Sequence, residues 1–418
     1  MPLVVRLLGL AVFAMGTSEF MLSGLTPDIA ADLHVSVPTA ATLTSVFAVG
    51  MIVGAPAAAL LSLRWPRRRA LVVFLGVFLL THVAGALTSS FAPLLALRFV
   101  GALANAGFLA VALATAVSLV APDAKGRATS ALLGGVTVAC VAGVPGGALL
   151  AQLWGWRAAF WAVALLTLPA LFTLVRSVPG GRDKGTPHPD TRPAAHADAH
   201  ADAHPETRPE VHPDTRPDAR RELAALRRPR LQLALLLGAL VNGATFCAFT
   251  YLAPLLTEVT GAPASWVPVL LALFGAGSFF GVTLGGRYAD VHAARLLAGG
   301  TLALCVGWPL PALAANWAPA VLTCAFLLGV GSFAVGTTLI SGALYASPDA
   351  PTLGGAYATA AFNVGAALGP WLGGLPIAVG ADYRAPLWVS AGLVALAGAV
   401  GGTALLVRKS VATRSASP

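Results

Sequence analysis

Ala195-His196-Ala197-Asp198-Ala199-His200-Ala201-Asp202-Ala203-His204 lies at the centre of the most hydrophilic stretch of this chain, and its reading decides how everything else is organised. The stretch runs from about Ser177 to Arg230 and carries Thr-Arg-Pro three times, at 191–193, 207–209 and 215–217. It has almost no large apolar residue, so no burial can offset the entropy of ordering it. On both sides the character reverses, with apolar runs of about 20 residues separated by short polar knots. The stretch is therefore a linker between two hydrophobic halves. Its histidines, His188, His196, His200, His204 and His212, alternate with Asp198 and Asp202. Metal capture or pH sensing is conceivable for such a pattern, but a low-complexity tether accounts for it more simply.

The composition agrees with a membrane solvent. Of 418 residues, 57% are hydrophobic and 10% charged, against about 25% charged in a soluble domain. The reading is a polytopic all-α membrane protein. A net charge of +9 raises the question of nucleic acid. The basic residues, however, cluster in the knots and the linker, with no stripe along an amphipathic helix, so they serve as topology signals and no nucleic acid is expected. Cys140, Cys247, Cys305 and Cys324 all fall within apolar runs without a CxxC, which suits buried small hydrophobes and excludes zinc ligation as a reading. The N-terminal run continues past Glu19 to about Leu25 without a convincing cleavage site, so it is expected to be retained.

The runs number six before the linker and six after it. They fall at about 4–25, 38–62, 70–90, 93–120, 128–152 and 158–176, then at about 231–256, 265–288, 294–314, 318–345, 352–377 and 385–407. The expected organisation is a six-helix bundle over 1–176, a disordered linker over 177–230, a second six-helix bundle over 231–407 and a tail over 408–418. One set of helix ends holds Arg6, Arg64, Arg67, Arg68, Arg69, Lys125, Arg127, the linker, Arg287, Arg295, Arg408, Lys409 and Arg414. The other set holds only Arg157 and Arg384. The excess of Lys and Arg marks the cytoplasmic side, so both termini and the linker are expected there, in a plasma-membrane protein.

The halves also read as copies. Leu25-Thr26-Pro27 stands 227 residues before Leu252-Ala253-Pro254, and the knot from Ala59 to Arg64 has the same offset from Gly286 to Val291. Pro145, before Gly146-Gly147, stands 225 residues before Pro370, which precedes Gly373-Gly374. Duplicated bundles with a site between them near the midplane are a common construction for secondary transporters.

Few residues can carry chemistry inside such runs. Glu19 lies within the first, and a carboxyl there must face a cavity or be protonated. That makes it a proton-coupling candidate; a helix-packing hydrogen bond is its other reading. The position 227 residues on is Phe246, so the duplication has not kept an acid. Asp28, at the outer end of the same run, is a second coupling candidate or an exposed turn or cap. Arg98 stands in the fourth run among small residues; it cannot shed its proton and needs an anion or a wet cavity, unless it anchors a helix end. Phe20, Asn242, Tyr251 and Asn363 are candidate substrate contacts, because mid-span aromatics and amides suit an aromatic, hydroxylated ligand. Asn105 suits helix packing equally well.

Gly143-Val144-Pro145-Gly146-Gly147 and Gly365 through Gly369-Pro370 to Gly373-Gly374 combine close-packing glycines with a kinking proline, as does the four-residue spacing of Gly277, Gly281 and Gly285 without one. Such faces allow tight packing and rocking, so Gly143, Pro145, Gly146, Gly147, Gly369 and Pro370 are gating candidates. Gly286-Arg287-Tyr288-Ala289-Asp290 with Arg295 adds a candidate charge relay between helices. The first-half copy has Leu63 where the aspartate would stand. No phosphate-binding loop, nucleophile elbow or HExxH motif occurs, so the pattern supports no ATP-driven pump, hydrolase or metal site, and no cofactor is expected.

At these residues the chain resembles the twelve-span drug:proton antiporters of the major facilitator superfamily, in particular the actinobacterial chloramphenicol-efflux and sugar-efflux group. The resemblance covers both bundles and leaves out the linker. It rests on Leu10-Ala11-Val12-Phe13-Ala14-Met15-Gly16-Thr17-Ser18-Glu19-Phe20 through Gly24-Leu25-Thr26-Pro27-Asp28-Ile29-Ala30, and on Arg98 with Gly101 and Gly107. It also rests on Gly143-Val144-Pro145-Gly146-Gly147 leading to Gln152 and Gly155-Trp156-Arg157-Ala158-Ala159-Phe160-Trp161. The resemblance implies that Arg98 takes part in proton coupling and that the fifth-span Gly/Pro face biases the cycle toward export. The departure at Leu63 puts the first-half charge contact in doubt.

The expectation is thus a twelve-helix major facilitator fold, acting as a monomer in the lipid bilayer and exchanging an amphiphilic drug for protons by rocking around a central cavity. Export of a sugar or other metabolite is the alternative within transport. A non-transporting scaffold or receptor whose linker recruits a partner is the alternative of another class.

Overall fold

The structure is a computed structural model in which residues 3–62, 65–119, 132, 134–177, 225–347 and 353–415 are described. Among these residues every regular element is helical. The first half contributes α1 (Leu3–Phe20), α2 (Leu22–Asp32), α3 (Val37–Ser62), α4 (Arg67–Leu87), α5 (Phe91–Ser118), α6 (Val144–Trp154) and α7 (Trp156–Ser177). The second contributes α8 (Pro229–Pro254), α9 (Val267–Gly307), α10 (Ala318–Tyr345), α11 (Leu353–Ala378) and α12 (Ala385–Ser415). Among the described residues ten segments are long and apolar enough to cross a bilayer, or eleven when α1 and α2 count as one bent span. The 26-residue α11 is long enough as well. Its glycines, its two prolines and Asn363 dilute its hydropathy, because the helix faces other helices over much of its length.

Several expected boundaries shift. The first span does not end near Leu25: it bends by 53° between α1 and α2 and continues to Asp32. Pro27 withdraws one N–H from the ladder and crowds the carbonyl of Ser23, close to the break. There the Gly24 N–H bonds the Met21 carbonyl at 3.0 Å, a step of three residues. The eighth and ninth spans stand as Ala264–Tyr288 and His292–Leu313, with α9 broken into two helices at His292, where φ is −130° and ψ 28°. At the C-terminus α12 runs on to Ser415, so the region from 408 continues a helix where a tail was expected. The His-rich linker, Leu63, Arg64, Lys125 and Arg127 lie outside the described residues.

A proline borders each of two wide turns: a π-helical turn at Ala139–Gly143 precedes Pro145, and another at Leu255–Val259 follows Pro254. Pro145 offers no N–H to the carbonyl of Val141 inside the first turn, and one extra residue there accommodates the mismatch.

Two apolar cores result. One gathers Leu8, Met15, Phe78, Phe108 and Phe160 with neighbours from 5 to 174. The other gathers Phe249, Phe274, Trp308 and Leu339, and draws in Val144 and Ala148 from the first half. Glycine permits the closest seams. A Cβ on Gly277, Gly281 or Gly285 of α9 would strike the α10 carbonyls of Phe326, Val330 and Ala334. Bilayer solvent gives no hydrophobic drive between helices, so such backbone-to-backbone contact supplies the packing. The halves meet along two seams: Ala48 of α3 against Ala366 and Ala367 of α11, and α2 and α6 against α9, where Gly24 faces Leu271 and Ala148.

Candidate functional site

Between the two seams lies a cavity of about 370 Å³. The chain must cross it from both halves, because each bundle presents only one face to the other. Glu19 and Phe20 enter from the end of α1, and Val136, Thr137 and Cys140 from the fifth span. Asn242, Thr245 and Phe246 enter from α8, Ser278 and Val282 from α9, Ser332, Phe333 and Thr337 from α10, and Phe362 and Asn363 from α11. Its wall is mainly apolar, with a few convergent polar groups, the usual composition of a small-molecule site.

Most of those polar groups already have partners in their own helix. Thr245 donates to Val241, Ser278 to Gly275 and Thr337 to Phe333. Asn363 donates to the Thr359 carbonyl at 3.0 Å, and Asn242 reaches across to the Phe362 carbonyl at 2.7 Å. Each amide keeps its oxygen as an acceptor for a ligand. The hydroxyl of Ser332, a residue of the cavity wall, is buried and has no partner among the described residues.

Aromatic rings roof the cavity. Phe20 and Phe246 meet from opposite halves, Phe249 stacks on Phe274 at 4.6 Å, and Phe333 meets the edge of Phe274 at 6.3 Å. Beyond the roof the halves touch: a Cβ on Gly374 would come within 3.1 Å of Pro38, and Gln152 donates to the Ala264 carbonyl. The cavity therefore lies on the side of the roof that bears the chain termini, and the opposite end is closed.

Behind Glu19 sits a buried polar nest. Arg98, 2% exposed, donates through Nη1 to the Ser18 hydroxyl at 2.8 Å and through Nη2 to the Ser18 carbonyl at 3.1 Å. Its guanidinium lies 4.3 Å from the centre of the Phe47 ring. Among the described residues it makes no ion pair with Glu19. Its Nε has no partner. Ser18 Oγ also meets His82 Nε2 at 2.6 Å, and His82 Nδ1 meets the Phe78 carbonyl at 2.7 Å. Arg98 is therefore held in the interior and is no helix-end anchor.

The structure brings Glu19, Phe20, Asn242 and Asn363 to one cavity and Arg98 to its rear. It does not bring Tyr251 there. That side chain is 1% exposed and donates its phenol to the Pro370 carbonyl at 2.9 Å, tying α8 to α11. Asp28 is exposed on α2, inside a helix and past the bend from Glu19. Asn105 is buried.

The gating candidates divide in the same way. Gly143 is pressed against Thr17, a Cβ on Gly147 would crowd the Met21 side chain at 3.3 Å, and Gly369 abuts the α8 backbone at Gly243 and Cys247. Pro145 sits just after the π-helical turn. Gly146 and Gly286 have open space where a Cβ would be, so packing does not require glycine at either. Arg295 is exposed, and the Asp290 side chain lies outside what is described. Farther out, Arg157 bonds Asp32 at 2.6 Å and the Thr88 carbonyl at 3.0 Å, while Arg384, 227 residues on, bonds Asp382 at 2.9 Å and Asn316 at 3.1 Å. The repeat thus keeps an arginine staple at the outer end of each half.

Sequence reasoning missed Ser18, His82, Phe47 and Ser332. His82 had a readable signal, being a histidine inside an apolar run; Ser332 and Phe47 had none.

The sequence profile of the Major Facilitator Superfamily matches residues 8–349. The chain is 52% identical over 397 residues to a chloramphenicol resistance protein of Streptomyces lividans, covering 95% of each. It is 33% identical over 377 residues to the inner membrane transport protein YdhP of Escherichia coli K12, covering 90% of this chain and 89% of that one. Among solved structures, a bacterial homologue of the human lysosomal transporter Spinster superposes with a TM-score of 0.72 at 17% identity, covering 95% of each chain.

Proposed function

We propose that this chain, which belongs to the Major Facilitator Superfamily, exports an amphiphilic aromatic molecule from the cell in exchange for protons, with chloramphenicol as the first candidate. A transporter family and a multi-pass membrane fold are the premise. The observation that carries the rest is the sharing of one cavity by a lone carboxyl, Glu19, and a wall of aromatics and amides from both halves. A 52% identical relative named for chloramphenicol resistance supports the substrate class.

In this reading Glu19 binds and releases the proton as its access alternates, and Arg98 supplies the positive field behind it. Phe20, Phe246, Asn242, Asn363 and Ser332 hold the drug, because rings pair with its ring and amide oxygens accept from its hydroxyls. Rocking of one half against the other opens the roof and closes the opposite side. Asp290 and Arg295 help hold the closed side, and Asp28 acts outside the proton step. Both termini and the linker face the cytoplasm, and a monomer in the bilayer suffices.

The test is drug susceptibility of an efflux-deficient host expressing this chain, across a panel led by chloramphenicol, with and without a proton uncoupler. Raised tolerance and lowered drug accumulation, both abolished by the uncoupler, are expected. Unchanged accumulation of every compound would sink the proposal. Sugar or metabolite export is the second reading, favoured by the amides and the Ser332 hydroxyl on the wall; it predicts tolerance to a toxic sugar analogue and none to drugs. Deleting residues 185–220 separates transport from scaffolding, since a transporter keeps most of its activity without the linker.

A further inference from the structure

His82 is a buried ionisable side chain to which the proposed cycle gives no task. It lies on α4, 3% exposed, with its ring 4.1 Å from that of Phe78 and 5.7 Å from that of Phe160. Its contacts fix its proton. The Phe78 carbonyl only accepts, so Nδ1, 2.7 Å away, carries the hydrogen. Arg98 only donates, so Ser18 Oγ accepts from Nη1 at 2.8 Å and has its own proton free to give. The remaining contact, Ser18 Oγ to His82 Nε2 at 2.6 Å, is then a donation from the hydroxyl to an unprotonated ring nitrogen. An imidazolium there would set a second cation against the same hydroxyl that already receives a guanidinium, in a nest with almost no water.

The bonds run in one direction: Arg98 to Ser18, Ser18 to His82, and the His82 Nδ1–H to Phe78. From this we infer that His82, as the neutral Nδ1–H tautomer, is a positioning residue of the coupling site, holding the Ser18 lone pairs toward Arg98 and so fixing the guanidinium behind Glu19. Without the acceptor at Nε2, the Ser18 hydroxyl turns to another carbonyl and the fork on Arg98 loses one of its two arms. The guanidinium then keeps only the Ser18 carbonyl and the Phe47 face, and its Nε is already unpartnered. The inference rests on the proton-coupled reading above, although the bond direction itself does not.

His82→Phe keeps the ring packing and removes the acceptor, while His82→Gln returns an acceptor near Nε2. In proteoliposomes holding the full chain, His82→Phe is expected to lower the maximal rate of drug-driven proton exchange about tenfold, as befits a lost bond to a charged network, with the drug KM unchanged. His82→Gln is expected to recover most of that rate. Nitrogen-15 NMR of the histidine-labelled protein supplies the readout independent of transport: the signal absent in His82→Phe must show a protonated Nδ1 and a bare Nε2, and Ser18→Ala must move the latter. A His82→Phe variant that exchanges at the full rate overturns the positioning role, and so does a protonated Nε2. If the unmutated protein moves no protons yet shows the bare Nε2, the coupling reading fails and the geometry stands. Misfolding of His82→Phe would leave the decision to Ser18→Ala and the NMR signal.

Discussion

Phe20 and Phe246 face each other from the two halves of the chain, their ring centroids 5.8 Å apart and their planes 31° from parallel. Each comes from the first helix of its half, and both line the same cavity. In the proposed cycle a ring from each side would hold a drug's aromatic group against both bundles, so that its binding would sense their relative tilt. Replacing either with Ala should raise the drug KM and lower the tolerance conferred. A double-mutant cycle in binding should show a coupling of about 1 kcal/mol; independent effects would mean that the two rings do not act on one ligand.

Glu19→Gln keeps the shape of the side chain and removes its proton exchange. Drug accumulation in cells should rise to that of a host without the transporter, while the amount of protein in the membrane stays the same. Drug binding in detergent should persist, and its pH dependence should flatten. Continued uncoupler-sensitive efflux would remove Glu19 from the mechanism.

Arg98→Lys retains a charge but cannot place two donors on the Ser18 hydroxyl and carbonyl while lying flat on Phe47. Expression should fall little, and drug-driven proton release should fall about tenfold or more. Wild-type exchange from the lysine variant would reduce Arg98 to a simple point charge.

Tyr251→Phe tests the separation of packing from binding. The lost bond to Pro370 should lower the thermal stability of the purified protein by about 1 kcal/mol, with the drug Kd unchanged. A weakened Kd at constant stability would return Tyr251 to the list of ligand contacts.

Gly281→Val drives a branched side chain into the Val330 carbonyl across the seam of α9 and α10. A loss of about 1–3 kcal/mol is expected, read as a lower melting temperature in detergent. Gly286→Ala, at a position with open space, should melt as the unchanged protein does.

How much of this was readable from residues alone depends on what each residue answers to. The spans were legible because the bilayer fixes their length, and Glu19 because a carboxyl in an apolar run has few places to go. The eighth and ninth spans were legible as well: Arg287 and Arg295 announce a membrane edge, and the helix breaks between them at His292. Tyr251 looked like a ligand contact because a mid-span aromatic suits an aromatic ligand. Which partner it finds depends on the Pro370 carbonyl, which becomes available only once α8 lies against α11. His82 went unread because its meaning comes from Ser18 and Arg98, which are 64 and 80 positions from their bonding partners in sequence order.

By leaving Phe246 where a second acid would stand, the duplication would also set the energy available to the proposed exchange. Glu19 is the one carboxylate among the described residues on the cavity wall, so the proposed cycle, run at one proton per uncharged passenger, would move one elementary charge inward for each molecule sent out. A voltage of about 100 mV makes that charge worth about 2.3 kcal/mol, enough to sustain a ratio of about fifty to one between medium and cell. Protection would then be capped by the host's voltage and acidity gradient, and a cell that let its membrane depolarise would lose tolerance however tightly the cavity gripped its cargo.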